Sequence, residues 1–407
     1  MLLARLLSLL GIVGTLGLFL PGRFRVFAIL AAASVLPGHA LLVRTDWGRA
    51  QSPWMRATVS IAVSWSLFFI AIVAAERLHL GTGWLSIPLL ALTLLGSFLA
   101  WLPPRIAVTN GGRETGALIV LLTILVSLAL ARGASVTLAT DALDHIAYLK
   151  EIVQTGDPFP LTSYYDPSND TAYDIRKGFF QPVQAAALAA TRCDAVEGWH
   201  AFPAVVLLLS GLGFFALARE TLGDAKSGVL ATAVYLLGFD AGIAGVWFGR
   251  ACTPFLFSAP LVWGILLLTY RAGRGEKTPF VLPLLFGFAI MGAHIFAAVV
   301  AGLLSALYAS LHVLRWKARA LRSFTALLGL TAAGMLPLGL WRFATSYPPV
   351  DPVHTHLQGV VTVSDGLFFS TPVLAVARLG LFSLLAIPAT ILLGKRLWKE
   401  EGVFFAG

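Results

Sequence analysis

Apolar residues along this chain fall in long, nearly uninterrupted blocks, not in the short alternating or three-to-four-residue patterns of a water-soluble fold. Blocks near 2–20, 24–43, 57–75, 84–102, 116–132, 199–218, 228–246, 253–270, 279–293, 295–314, 323–342 and 372–394 approach the ~20 residues an α-helix needs to cross a bilayer. Only helices and closed barrels satisfy their backbone polar groups in lipid, so the pattern predicts an all-α, polytopic membrane protein of about twelve spans. The stretch 279–314 is one apolar run, and a tight reversal at Gly292, Ala293 and His294 is needed to divide it in two. Met1 to Leu20 is followed at once by another span and carries no small-residue cleavage pattern, so it reads as a retained helix. No internal repeat is evident.

Composition narrows the class. Of the 407 residues 58% are hydrophobic and 12% charged, and the mean hydropathy is +0.83. That leaves too little charge to cover a soluble globule, which excludes soluble enzymes and nucleic-acid-binding modules. The net charge of +9 then has to appear as an asymmetry between loops. With the N-terminus in the cytoplasm, inner segments collect 18 of the 29 basic residues and 7 acids, while outer segments hold 11 basic residues and 13 acids. Both termini are therefore expected inside. Arg23 and Arg25, in a short outer turn, are the local exception.

The one long polar segment runs from Arg132 to Gly198 on the outer side, too long for an idle connector. Within it, 140–153 has helical periodicity. Leu143, Ile146, Ala147, Lys150 (by its stem) and Val153 fall on one side, and Asp141, Asp144, His145, Tyr148 and Glu151 on another. This predicts a helix lying on the membrane surface with its polar face outward, ended by Gly156, Asp157 and Pro158. Asp141 and Asp144 can serve as N-cap and first-turn acid. Alternatively, one aspartate is a general base toward an acceptor hydroxyl, with Asp144 and His145 positioning it or holding a divalent metal.

These residues resemble a family. An aspartate opening a surface helix after a span, an aromatic residue or histidine four residues later and a Gly-Asp pair at about fifteen are similar to the first outer loop of the GT-C glycosyltransferases. The branch is that of the protein O-mannosyltransferases and lipid A aminoarabinose transferases. The positions here are Asp141, His145, Gly156 and Asp157. The stretch Lys177-Gly178-Phe179-Phe180-Gln181-Pro182-Val183-Gln184 is similar to the one where those enzymes re-enter the membrane, and Leu36-Pro37-Gly38 looks like a Leu-Pro-Gly helix of many membrane proteins of this kind. Two departures stand out: Ala142 replaces the usual second acid, and about four spans precede the core.

The resemblance implies a GT-C-like catalytic membrane core over 116–394, with outer loop 132–198 carrying amphipathic surface helices. Residues 1–115 would be accessory transmembrane helices and 395–407 a cytoplasmic tail. It implies sugar transfer from a polyprenyl-phosphate-linked donor to an acceptor at the extracytoplasmic face of a prokaryotic cytoplasmic membrane. Asp141, Asp144 and His145 would be catalytic, and Tyr148, Lys177, His294 and Arg378 substrate-binding. Such a site needs cations at the leaving phosphate; Arg378, inside the last block, is an expensive place for a charge unless it meets an anion or snorkels. Arg250 and Arg342 lie at outer span ends, where interfacial anchoring also explains them.

Asp351-Pro352-Val353-His354-Thr355-His356 is a second cluster of ligand types, since His354 and His356 share a face in an extended segment. A metal site from Asp144, His145, His354 and His356 is one reading of these residues, and solvated loop histidines the other. Tyr164, Tyr165, Tyr173, Asp166, Asp170 and Asp174 make the loop polar and aromatic. Cys193 and Cys252 are both expected outside, where a disulfide is permitted but not demanded. Zinc-type Cys/His spacing, a phosphate-binding Gly-Lys-Ser loop and a dinucleotide fingerprint are absent from the sequence. The competing classes are a transporter or flippase, which calls for broken mid-membrane helices and paired repeats, and a non-catalytic membrane subunit.

Overall fold

The structure is a computed structural model that describes residues 2–17, 20–101, 113–132, 140–160, 178–238, 254–316 and 321–345. These residues form sixteen helices and no strand. In chain order they are α1 (Leu2–Leu16), α2 (Gly22–Leu42), α3 (Asp46–Ala50), α4 (Pro53–Arg77), α5 (Thr82–Trp101), α6 (Arg113–Arg132), α7 (Thr140–Thr155) and α8 (Phe180–Thr191). There follow α9 (Ala195–Trp199), α10 (Phe202–Leu222), α11 (Ala225–Gly238), α12 (Pro254–Phe257), α13 (Ala259–Gly273), α14 (Val281–Ala293), α15 (Ile295–Trp316) and α16 (Leu321–Thr345). Among the described residues six helices are long and apolar enough to cross a membrane, and five apolar helices are shorter. The block expected at 372–394 lies outside the described residues.

Local chemistry explains the boundaries. Ser52 accepts from the Met55 amide at 3.2 Å and Pro53 fills the first helical position, which opens α4. Thr45 and Asp194 cap α3 and α9 in the same way. Asp224 accepts from the Ser227 amide at 2.9 Å at the start of α11; the hydrogen bond from Ser227 holds its carboxyl below the usual carboxylate range. Gly156 and Gly223, with φ of +75° and +79°, end α7 and α10 in the left-handed conformation glycine tolerates best.

The helices alternate in direction. Gly38 of α2 meets Ser60 of α4 while Ser34 binds Trp65, so α2 and α4 run oppositely. Ser66 donates to the Leu285 carbonyl and Phe69 lies against Gly292, so α4 and α14 run together. Leu284 meets Gly334 and Met291 meets Gly339, which adds α16 to that set. Thr269 donates to Ser305, and Tyr270 packs on Tyr308 at 6.4 Å between centroids, so α13 and α15 share the other direction. The reversal expected at Gly292–His294 is present: α14 stops at Ala293, His294 is extended, and α15 begins at Ile295.

Close crossings use glycine. A Cβ on Gly38 would lie 2.2 Å from the Ser60 carbonyl oxygen, and one on Gly287 would lie 2.0 Å from that of Thr331. Small residues let helices approach where lipid supplies no hydrophobic drive for association. At the Leu36-Pro37-Gly38 turn Pro37 has no amide to donate, and the Gly38 amide donates to Ser64 Oγ at 2.9 Å. The motif therefore marks where α2 is crossed by α4 and by α5, whose Gly96 sits against Leu36.

Residues 1–115, expected as an accessory unit, contribute α2 and α4 to the interior, where both are largely buried and pack on α8, α10 and α14. Arg25 is also inside. It is 8% exposed, its Nε donates to the Gly14 carbonyl at 3.1 Å and its Nη1 to the Thr191 carbonyl at 3.1 Å. One guanidinium thus serves the last turns of α1 and α8, whose end carbonyls have no intrahelical donors and carry partial negative charge. The local exception to the charge asymmetry is in this respect a helix clamp.

Candidate functional site

Helices α7, α8 and α9 gather at one end of the bundle, where α4, α14 and α16 finish and α2, α10 and α15 begin. Gly156, after α7, abuts Gly81, after α4, with 3.3 Å from the Gly156 oxygen to a Cβ built on Gly81. The Arg23 amide donates to Glu197 Oε1 at 3.3 Å, joining α2 to α9. A Cβ on Gly178 would fall 2.0 Å from the Ala293 carbonyl oxygen, and the Phe179 amide donates to the Gly292 carbonyl at 2.8 Å. The segment entering α8 is therefore seated on the α14–α15 turn. The opposite end holds Arg44, Arg49 and Arg56, with Arg49 paired to Asp46 and Arg56 donating to the Gly48 and Arg49 carbonyls.

Rings fix this seat. Phe179 packs at 5.8 Å on Phe69 and at 5.0 Å on both Phe159 and Trp341, and Phe159 lies 4.9 Å from Trp341. Phe180 sits 4.7 Å from Trp65 and 4.3 Å from Phe257. These aromatic contacts join the segments after α7 and at the start of α8 to α4, α12 and α16, and each adds modestly to the area it buries.

The expected helix at 140–153 is present as α7, and its end at Gly156–Pro158 is as expected, with the Phe159 amide donating to Asp157 Oδ1 at 2.8 Å. Its faces are not. His145 and Tyr148, expected to look outward, are buried together with Ile146, Ala147, Leu149 and Ile152. The reason is that α8, α9 and the start of α5 pack around α7, so it meets protein on most of its circumference around 145–149.

His145 is 9% exposed; its Nδ1 lies 3.0 Å from Gln181 Nε2, and its ring is stacked with Trp199 at 6.3 Å and 19°. Since Gln181 occupies Nδ1, a metal would have to meet this imidazole through Nε2, an arrangement in which a neighbouring group orients a ligating histidine. Gln181 and Gln184 are 1% and 2% exposed and lie three residues apart on one stripe of α8. Gln181 Oε1 and Gln184 Nε2 are buried with no hydrogen-bond partner among the described residues. An orphaned buried amide group costs about 1–3 kcal/mol.

Asp141 and Asp144 fall in the first two turns of α7, whose described side chains begin at His145. His294 is buried at the turn after α14, its ring 5.7 Å from those of both Phe255 and Phe296. Arg342 belongs to α16. Lys177, Arg250, Tyr164, Tyr165, Tyr173, Asp166, Asp170, Asp174, Cys252, His354, His356 and Arg378 lie outside the described residues. Among the described residues no group of three or more His, Cys, Asp or Glu side chains could hold a metal ion. Cys193 is a buried free thiol beside Gly22 and Glu197; burial first, then Glu197, pushes it up to about 12.

The structure thus brings His145, Gln181 and Trp199 together and ties the start of α8 to the turn carrying His294. Gln181, Gln184, Trp199 and Arg25 are the residues whose importance spacing did not disclose. Their one signal in the sequence is two amides three residues apart in an otherwise apolar, alanine-rich helix. In comparisons with known proteins, no family model, no curated protein and no solved structure matches this chain.

Proposed function

We propose that this integral membrane protein transfers a sugar from a polyprenyl-phosphate-linked donor to a hydroxyl acceptor, as a GT-C-type glycosyltransferase. What carries the reading is α7: it places Asp141 and Asp144 on the two turns that lead into His145, which Gln181 and Trp199 hold in place. A carboxylate at the start of an anchored helix, at the polar end of an apolar bundle, suits a donor whose tail stays in lipid and whose phosphate sits at the interface.

In this reading Asp141 takes the proton of the acceptor hydroxyl as its oxygen attacks the anomeric carbon. The bond from that carbon to the phosphate oxygen breaks, polyprenyl phosphate leaves with the electron pair, and the anomeric centre inverts. Asp144 and His145 position the base, or hold a divalent metal that would stabilise charge on the phosphate. Lys177, His294 and Arg378 are the groups assigned to substrate, Lys177 and Arg378 as cations for the leaving phosphate. His354 and His356 are the further metal ligands in the second version. The acceptor face is extracytoplasmic, both termini are cytoplasmic, and the membrane is a prokaryotic inner membrane.

The test compares mass profiles of cell-surface glycans, glycolipids and glycoproteins from cells with the wild-type gene, a deletion and Asp141→Asn. Asparagine keeps capping ability but is no base. The expected result is that Asp141→Asn, made at normal levels, loses the same sugar as the deletion. A variant that matches wild type while the deletion does not makes Asp141 a cap only. A deletion that changes no glycan, but accumulates a small polar or lipid-linked solute on one side, favours the transporter reading.

A further inference from the structure

Three turns with described side chains lie at the end of the bundle opposite α7–α9, and they handle charge differently. Around the α10–α11 turn, Arg219 and Lys226 are matched by Glu220 and Asp224. Around the α13–α14 turn, Glu276 meets Arg271 at 2.5 Å and Arg274 at 3.6 Å, so one carboxylate holds both guanidinium groups. The α2–α3–α4 turn carries Arg44, Arg49 and Arg56 against a single acid, Asp46, which pairs with Arg49 alone. Arg44 and Arg56 meet no carboxylate among the described residues; their partners are backbone carbonyls.

Those carbonyls belong to one short stretch. Arg56 Nη1 donates to the Gly48 and Arg49 carbonyls at 3.2 and 3.3 Å, Arg49 Nη1 to that of Arg44 at 3.1 Å, and Arg44 Nη1 to that of Ala40. A carbonyl satisfies a donor without cancelling its charge, so the turn stays positive. Arg56 is 2% exposed, which places part of that charge where salt screens it least. Arg44 is exposed, and Arg49 keeps 25% of its side chain accessible. Trp47 lies half-buried between them on α3, and Trp101, at the same end of α5, carries Arg5 over its ring at 5.4 Å. Tryptophan beside arginine is typical of the headgroup level of a bilayer.

We infer that the α2–α3–α4 turn is a docking surface for the phosphodiester headgroup of an anionic phospholipid. Arg44 and Arg49 are the groups that meet the phosphate, through forks that suit its oxygens. Arg56 is the buried positioning residue that holds the α3 backbone beneath them. A zwitterionic headgroup also has a phosphate, but its ammonium adds a like charge to a surface already positive, so the turn prefers the anionic lipid. Asp46 is a built-in competitor: its side chain is 98% exposed and occupies Arg49 until lipid displaces it. The inference is independent of the sugar-transfer reading and of which leaflet this end meets.

The test is native mass spectrometry of the purified full-length protein in detergent, titrated in separate arms with phosphatidylglycerol, phosphatidylcholine and inorganic phosphate. Phosphatidylglycerol adducts are expected at roughly tenfold lower concentration than phosphatidylcholine adducts. The double variant Arg44→Gln, Arg49→Gln should weaken phosphatidylglycerol about tenfold, or about 1.4 kcal/mol. Lysine at both positions should restore part of the loss, and Asp46→Asn should tighten binding. The control pair Arg219→Gln, Lys226→Gln should leave it unchanged. Equal affinity for the two lipids overturns the inference, as does phosphatidylglycerol binding that survives the double glutamine variant. Binding of inorganic phosphate without any preference between the lipids makes the turn an ion site and overturns it too. If the double glutamine variant fails to fold, the almost wholly exposed Asp46 supplies the second measure, and an unchanged phosphatidylglycerol affinity in Asp46→Asn also overturns it.

Discussion

Arg25 shows how much one side chain can carry. Its guanidinium joins the ends of α1 and α8, and α8 in turn bears the amide that fixes His145. Arg25→Ala leaves two helix-end carbonyls without donors, and thermal or denaturant unfolding in nanodiscs should record a loss of ~3 kcal/mol. Lysine should recover only part of it, because a point charge cannot span both carbonyls as the planar fork does. Cys193 gives a second residue-scale prediction. With its thiol pushed up to about 12 from 9.0, the thiolate fraction at pH 8 is about a thousandfold lower than in an ordinary cysteine. In a Cys252→Ser background, maleimide should label Cys193 only once the protein is unfolded. The folded value lies above the unfolded one, so this thiol's contribution to stability is whole below pH 9 and is lost as pH rises from 9 toward 12.

At the scale of elements, the helices were legible because a membrane helix must satisfy its own backbone, which leaves its apolar run and its breakers as sufficient signals. Gly156 and the turn at His294 were readable for that reason. The orientation of α7 was not. Period alone places His145 and Tyr148 opposite Ile146 and Val153, but which side meets protein depends on α8 and α9, which arrive from later in the chain. Gly38 offers the direct test of helix packing. A Cβ there would press on the Ser60 backbone, which cannot give way as a flexible side chain would. Gly38→Ala should cost about 1–3 kcal/mol by thermal unfolding, while the same change at Gly302, which has nothing within 4 Å of its built Cβ, should not destabilise.

For the whole molecule, the helix directions sort the described loops into two ends, and Arg44, Arg49, Arg56, Arg219, Lys226, Arg271, Arg274 and Lys277, all expected inside, fall at the end opposite α7–α9. Cysteines introduced at the exposed positions Gln154 and Lys277 in a cysteine-free background test which end faces out. A membrane-impermeant maleimide should label position 154 in intact cells and position 277 only after permeabilisation; the reverse pattern would invert the topology. Hydropathy was enough for the all-helical class and for the apolar helices among the described residues, since it is a sum over many residues that each act through the same solvent; the orientation is what the charge asymmetry predicts and this labelling decides. The site was legible only in part. Asp141, Asp144 and His145 stand out as polar groups at helical spacing, a local property. The Gln181–His145 contact joins residues 36 positions apart, and the Arg25–Thr191 contact joins residues 166 apart. Such pairs depend on how close-packed helices are brought side by side, which is a property of the assembled bundle and not of any stretch of the chain.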